Sequence, residues 1–195
     1  MTAELATTQL TRDVDPRAAA PSLGAISLGT RALRGPSLAY TEEFLTHTDG
    51  PTPRFFDVTN LVCEAVRRSG IEHGQLLATT AHTTCAVIVQ ENEPLLLADL
   101  AERLCRFAAA DESYLHNRLD LRVMNVLGPD ERANGHSHCQ HALLGTGVAL
   151  PVIDGHVALG RWQRVLLVEL DGPRPRQLTI QVTGVTGTIG PAGGG

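Results

Sequence analysis

Residues 148–182, VALPVIDGHVALGRWQRVLLVELDGPRPRQLTIQV, decide the fold. Four apolar runs lie in this stretch, at 148–153, 156–159, 164–170 and 177–182, and each break between them is filled with turn-forming residues. Consecutive strands separated by turns this short point to a largely antiparallel sheet, because a parallel crossover needs about a dozen residues or more. Asp154-Gly155 is the strongest turn signal. A two-residue hairpin loop needs positive φ at both positions, which Asp tolerates and Gly adopts freely. Gly160-Arg161-Trp162-Gln163 reads as a tight turn carrying the one tryptophan. Asp171-Gly172-Pro173-Arg174-Pro175-Arg176 reads as a rigid hairpin with two arginines.

Working upstream, residues 135–145 hold His136, His138 and His141, three of the eight histidines of the chain. Ser137 followed by Gln140 is the pattern of a capping box, which predicts a short helix from His138 to near Gly145. An imidazole in a first helical turn is biased towards its neutral, metal-binding form. Free N–H groups at such a helix start also suit a phosphate. Residues 111–132 are charged and irregular and read as a long loop, the kind that often carries function.

Further upstream, Pro94 starts a helix to about residue 110 whose inner face is Leu96, Leu97, Leu100 and Leu104. Residues 75–82 and 85–89 are apolar and read as buried strands. Leu61, Val62, Ala65 and Val66 recur at helical spacing, with Asp57 or Thr59 as the cap and Gly70 as the stop. Residues 38–47 suggest the first strand, 48–53 a turn and 55–59 a short extended piece. Many antiparallel strands with two or three helices give an α+β fold, a sandwich of largely antiparallel sheet. Residues 1–35 read as a mostly flexible tail, 36–185 as one domain and 186–195 as a second, Gly-rich tail.

Composition narrows the function. A net charge of -5 argues against nucleic acid as the main partner, since phosphate-backbone binding needs a basic surface. All 16 basic residues are arginine, which removes Schiff-base and P-loop lysine chemistry. No apolar run reaches membrane-spanning length and residues 1–21 lack a signal-peptide core, so the expected location is the cytoplasm. Cys63, Cys85, Cys105 and Cys139 form no CxxC pair and read as free thiols.

Several residues are chemically suggestive. His82-Thr83-Thr84 joins two strands, where an imidazole can face a cleft. Glu91 and Asp99 bracket the next turn and helix start. His116, in the long loop, with His138 and Asp99 would make a mixed nitrogen and oxygen donor set for a divalent ion, although the spacing does not bring them together. The histidine string departs from the H-x-H-x-D-H of metallo-β-lactamase-type hydrolases, because Gln140 stands where Asp would. Trp162 either stacks on a planar heterocycle or plugs the core.

From Leu38 to Gly184 the chain resembles the YjbQ-like proteins, described as secondary thiamine-phosphate synthases. The resemblance rests on an ordered series: His82-Thr83-Thr84, Glu91, Glu93-Pro94, Asp99, Tyr114-Leu115-His116, Asn134 to His138, Leu144-Gly145, Gly160 to Gln163, and Glu169 through Arg176. It places functional histidines at His82, His116 and His138. His136 and His141 stand where small or apolar residues are usual, and Gln90 where Asn is usual. The resemblance implies a YjbQ-like sandwich, a homotrimer with a polar site near subunit contacts, and a divalent metal ion, zinc or magnesium. It also implies a transferase joining a pyrimidine diphosphate to a thiazole phosphate, a secondary activity that leaves the cellular substrate open.

In that chemistry pyrophosphate leaves and the thiazole nitrogen attacks a methylene carbon, which calls for anion neutralisation and a stacking surface. The helix start at Ser137-His138, with Arg161 and Arg174, would neutralise charge, Trp162 would stack, and Ser137, Thr83, Thr84 and Asn134 would hold substrate. Asp99, His116 and His138 would hold the metal, and His82 with Glu91 would orient substrate or relay a proton. The alternatives are a metal-dependent hydrolase using the same histidines, and a non-catalytic trimeric module that binds metal or ligand.

Overall fold

A computed structural model describes residues 21, 24–33, 38–126, 128 and 131–187. Nine strands and three helices are described. The strands are β1 (Ala25–Leu33), β2 (Leu38–His47), β3 (Arg54–Asp57), β4 (His73–Thr79), β5 (Cys85–Glu91), β6 (Gly147–Ile153), β7 (His156–Val157), β8 (Gln163–Glu169) and β9 (Pro175–Val185). The helices are α1 (Thr59–Ser69), α2 (Pro94–Phe107) and α3 (Gly135–Leu144), with a single 3-10 turn at Leu115–Asn117. A six-stranded sheet has the order β1-β2-β9-β4-β6-β7 and a three-stranded sheet the order β3-β8-β5. Every described strand pair is antiparallel, so the fold is α+β.

The sequence of β8 explains the layering. Val165 and Leu167 point into a core shared with the large sheet and α1. Leu166 and Val168 point the other way, into a second core against α2 and the end of α3. A strand buried on both faces has no polar side to show, hence the unbroken run Val165-Leu166-Leu167-Val168. Strand β4, by contrast, lies in the outer sheet: Leu76 and Ala78 are buried while Leu77 is exposed. It therefore buries one face, not two, and ends at Thr79, short of the expected position 82.

Local signals account for most boundaries. Asp154 and Gly155 both have positive φ (51° and 74°), as a type I′ turn requires. Pro94 opens α2, and the Glu93 carboxylate accepts from the amides of Leu95 and Leu96. The cap residue of α1 is Val58, not Asp57 or Thr59 as expected, and the Asp57 carboxylate just before it accepts from the first helical amide, Thr59 N, at 2.9 Å. Gly70, at φ 68°, closes α1.

Three further expectations change. Residues 25–33, taken as tail, form β1 on the edge of the large sheet against β2, while most of 1–24 and 188–195 fall outside the described residues. The segment Asp171 to Arg176 is no hairpin, because β8 and β9 belong to different sheets and the segment carries the chain across the sandwich. Ser137 and Gln140 form no capping box. Ser137 Oγ donates to Leu170 O at 2.7 Å, and Gln140 Nε2 donates to Ala108 O at 2.9 Å. Both side chains have stronger tertiary partners than the helix end, and α3 begins at Gly135 with Asn134 as its cap residue.

Candidate functional site

The crossover from β8 to β9 is the foundation of the polar centre. It begins at Glu169 and ends at Arg176, and both are fully buried. Glu169 Oε1 and Oε2 accept from Arg176 Nη2 at 2.5 Å and Nε at 2.6 Å, a two-pronged pair. The carboxylate also accepts from Thr48 Oγ1 at 2.7 Å and from the amides of Leu170 and Asp171 at 3.0 and 2.9 Å. Burial alone would raise the Glu169 pKa, but the Arg176 guanidinium and the other donors hold it below its ordinary value. Arg176 Nη2 also reaches Thr84 O and Oγ1 at 3.2 and 3.1 Å. The pair thus ties together the connection before β5, the end of β8 and the start of β9.

On this base stand Asp171 and Arg174. Asp171 Oδ2 lies 2.5 Å from Arg174 Nη2 and accepts from Asn134 Nδ2 at 2.9 Å. Arg174 Nε is buried and has no partner among the described residues. Burial pulls the Arg174 pKa down, with Asp171 opposing and the neighbouring Arg176 and Arg132 cations reinforcing. Arg132 leans over the same connection, donating to Asp171 O at 3.3 Å and Pro173 O at 3.5 Å.

The long loop brings in His116. Arg122 anchors the loop by donating to His116 O at 3.3 Å, Glu131 Oε1 at 2.6 Å and Asn125 O at 2.9 Å. The 3-10 turn then docks on the start of α3, where Gly135 N donates to Asn117 Oδ1 at 2.9 Å. The approach is so close that a Cβ on Gly135 would stand 2.5 Å from Tyr114 Cβ. Docking sets the His116 and His138 rings edge to face, 4.5 Å between centroids. Burial and the proximity of His116 hold the His138 pKa below its ordinary 6.5, against the pull of Asp171.

Hydrogen-bond partners set the roles of the His136 and His82 ring nitrogens. Ser137 Oγ spends its proton on Leu170 O, so the 3.1 Å contact to His136 Nε2 has that nitrogen as the donor. In a neutral ring His136 Nδ1 is then a buried lone pair without a partner among the described residues. His82 Nε2 accepts from Gln177 N at 2.9 Å. Burial and the nearby Arg176 and Arg174 cations lower the His82 pKa, while Glu169 opposes.

Together these residues form a cationic and imidazole-rich centre of His82, His116, His138, Arg132 and Arg174 around Asp171 and Asn134. The other sequence-predicted residues sit elsewhere. Glu91 pairs with Gln163 at the start of β8, whereas the centre lies beyond its end at Glu169. Seven strand residues put those ends roughly 20 Å apart. Arg161 and Trp162 lie at the same far end, and Trp162 is 61% exposed with the Arg161 guanidinium 4.6 Å from its ring centroid. It is therefore no core plug. Ser137 and Thr84 are buried and their hydroxyl oxygens are engaged inside the protein, while Thr83 is exposed.

The expected phosphate cradle at the helix start is also largely consumed. Gly135 N donates to Asn117, and Ser137 N and His138 N both turn back to Asn134 O. Asp99 is exposed on α2, and among the described residues no three His, Cys, Asp or Glu side chains gather as a metal ion requires. His116 and His138 give two imidazoles where a protein zinc site uses at least three ligands. One chain's donors do not fit that group.

Residues 43–185 match the model of the family described as UPF0047 protein YjbQ-like. The chain belongs to the YjbQ-like family. A UPF0047 protein of Methanothermobacter thermautotrophicus is 35% identical over 145 residues, covering 74% of this chain and 92% of that protein. Another, from Archaeoglobus fulgidus, is 35% identical over 125 residues, covering 64% and 87%. Among solved structures, a YbjQ-like protein of unknown function from Sulfolobus solfataricus superposes with a TM-score of 0.68 at 30% identity, covering 76% of this chain and 99% of that one. A hypothetical protein from Aeropyrum pernix gives 0.62 at 30%, covering 73% and 98%. The matched region of this YjbQ-like chain contains the whole polar centre, from His82 to Arg176. Among the described residues no helix is long and apolar enough to cross a membrane.

Sequence reasoning missed Asp171, Arg132 and the buried Glu169–Arg176 pair as parts of the centre. The signal available was Glu169 and Arg176 themselves: charged residues that directly end and flank apolar strands.

Proposed function

We propose that this protein is an enzyme acting on small phosphorylated heterocycles, with thiamine-phosphate synthase-like transfer as its chemistry. One observation carries the reading: the buried and partnerless Nε of Arg174, set beside Arg132, His82 and the His116–His138 pair. A guanidinium with an unused buried donor is poised for an anionic oxygen, and a phosphate would satisfy it.

In the transfer, the bond from the pyrimidine methylene carbon to pyrophosphate oxygen breaks and the thiazole nitrogen bonds to that carbon. Arg174 and Arg132 neutralise the charge that grows on the leaving pyrophosphate. Asp171 orients Arg174, and Asn134 orients Asp171. The stacking surface expected of Trp162 would be supplied by a second protomer, since Arg161 and Trp162 stand at the far end of β8. A homotrimer, which places such neighbours in contact, is part of this proposal, and a divalent ion would likewise need a ligand from a neighbouring chain.

The test is calorimetric titration with pyrophosphate, followed by turnover of hydroxymethylpyrimidine diphosphate with thiazole phosphate. Binding that weakens roughly ten-fold or more in Arg174→Met supports the reading, as loss of a charge-assisted hydrogen bond predicts. Binding that is unaffected by that change refutes it.

A further inference from the structure

His82 is the one imidazole of the centre that takes a hydrogen bond from the main chain. Its Nε2 accepts from the amide of Gln177 in β9 at 2.9 Å. An amide can only donate, so Nε2 must present its lone pair. In a neutral ring the proton then resides on Nδ1. A second proton on Nε2 would set N–H against N–H and break the tie between the β4–β5 connection and β9. The charged groups acting on the ring also oppose a second proton. Arg176 and Arg174 stand against it, and the one carboxylate in reach, Glu169, is already engaged with Arg176.

We propose that His82 is locked as the Nδ1–H tautomer and serves as a neutral hydrogen-bond donor to an oxygen of the bound phosphate group, not as a proton acceptor. This rests on the phosphate-binding reading above and replaces the proton-relay role expected of His82. A neutral donor has a physical advantage here. It adds a directed bond to an anion that Arg174 and Arg132 already neutralise, and it adds no further charge to a crowded cationic site.

Two substitutions separate the roles of the ring. In His82→Asn the side-chain amide nitrogen falls near the place of Nδ1, which keeps a donor there and gives up the acceptor for Gln177. In His82→Gln the side-chain oxygen falls near Nε2, which keeps the acceptor and gives up the donor. With pyrophosphate as the probe, the proposal expects Kd within about three-fold of wild type for His82→Asn and roughly ten-fold weaker for His82→Gln. A purely structural role for the ring gives the reverse order. A proton-acceptor role appears instead in NMR, where long-range proton–nitrogen correlations of the His82 ring report the tautomer directly. The expected result is an Nδ1–H ring that titrates below the ordinary histidine value and whose Nδ1 signal shifts on adding pyrophosphate.

An Nε2–H tautomer, a ring that titrates near the ordinary histidine value, or wild-type affinity in His82→Gln overturns the proposal. Pyrophosphate that binds, depends on Arg174 and ignores His82→Gln removes this inference alone. No pyrophosphate binding to wild type removes both readings, whatever the tautomer.

Discussion

Arg176→Met is the most informative stability experiment, because it strands a buried charge. Glu169 is fully buried and accepts five hydrogen bonds in wild type, two from Arg176, one from Thr48 Oγ1 and two from main-chain amides. Methionine fills the space of the arginine stem and removes both charged donors, along with the bonds to Thr84. Breaking one side of a buried pair costs about 3–5 kcal/mol, most of it the penalty for the charge left behind. For a domain of this size each kcal/mol lowers Tm by about 2–4 °C, so the drop should be roughly 6–20 °C. Calorimetry at neutral pH measures it. Adding Glu169→Gln to Arg176→Met removes the stranded charge and should recover part of the loss. The pH dependence has a fixed sign. With its folded pKa depressed, Glu169 stabilises wild type above its ordinary 4.5 and loses that contribution as pH falls through the lower folded value. The gap between wild type and Arg176→Met should therefore narrow on acidification, as the stranded carboxyl of the variant takes up a proton. A Tm change under about 2 °C, or a double variant less stable than the single one, would refute the argument.

Other outcomes follow from the same structure. His82, His136 and His138 all have folded pKa values below 6.5, mainly through burial, so the stability they confer is complete above 6.5 and falls as pH drops through the depressed values. Thermal melts should show Tm lower near pH 5 than near pH 7.5, with a shallower slope in His138→Asn. Asp57→Ala removes the acceptor for Thr59 N and the partner of Arg164 Nε at 2.9 Å, and should cost about 1–2 kcal/mol in urea unfolding. Gly135→Ala drives a methyl against Tyr114 and should cost about 1–3 kcal/mol while weakening pyrophosphate binding, because the His116 turn must lift from α3. Light scattering should report about three chains per particle, and a clean monomer would remove the two-protomer site.

What the sequence made legible was whatever depends on near neighbours. The four strands from 147 to 185, the type I′ turn at Asp154-Gly155 and the start of α2 at Pro94 rest on patterns within a few residues, and the structure has all of them. The capping box failed because Ser137 and Gln140 find partners on Leu170 and on Leu104 and Ala108, more than thirty residues away. The crossover at Asp171 has the local signals of a hairpin for the same reason, since nothing local says that β9 must lie between β2 and β4. β1 carries too weak an alternation to announce itself, and only its pairing with β2 makes it a strand. In the centre, the spacing does not show that His116 meets His138; that contact depends on the docking of the 3-10 turn on α3, and Asp99, Glu91, Arg161 and Trp162 follow only from their order along the chain. Order does not tell which end of a strand a residue occupies.

The position of β9 bears on how the chain is made. It is the last described strand in sequence, yet it lies inside the large sheet, hydrogen-bonded to β2 on one side and β4 on the other. Synthesis runs from the other end, so a growing chain emerging from the ribosome holds β2 and β4 with facing edges unfilled until residues 175–185 appear. Throughout that interval both edges are open to strands of other nascent chains. The same late segment delivers Arg176 and Gln177, which secure Glu169 and His82. A ribosome that stalls shortly before residue 175 therefore releases a product with neither a closed sheet nor a formed site, and such fragments should be strong clients of chaperones and proteases.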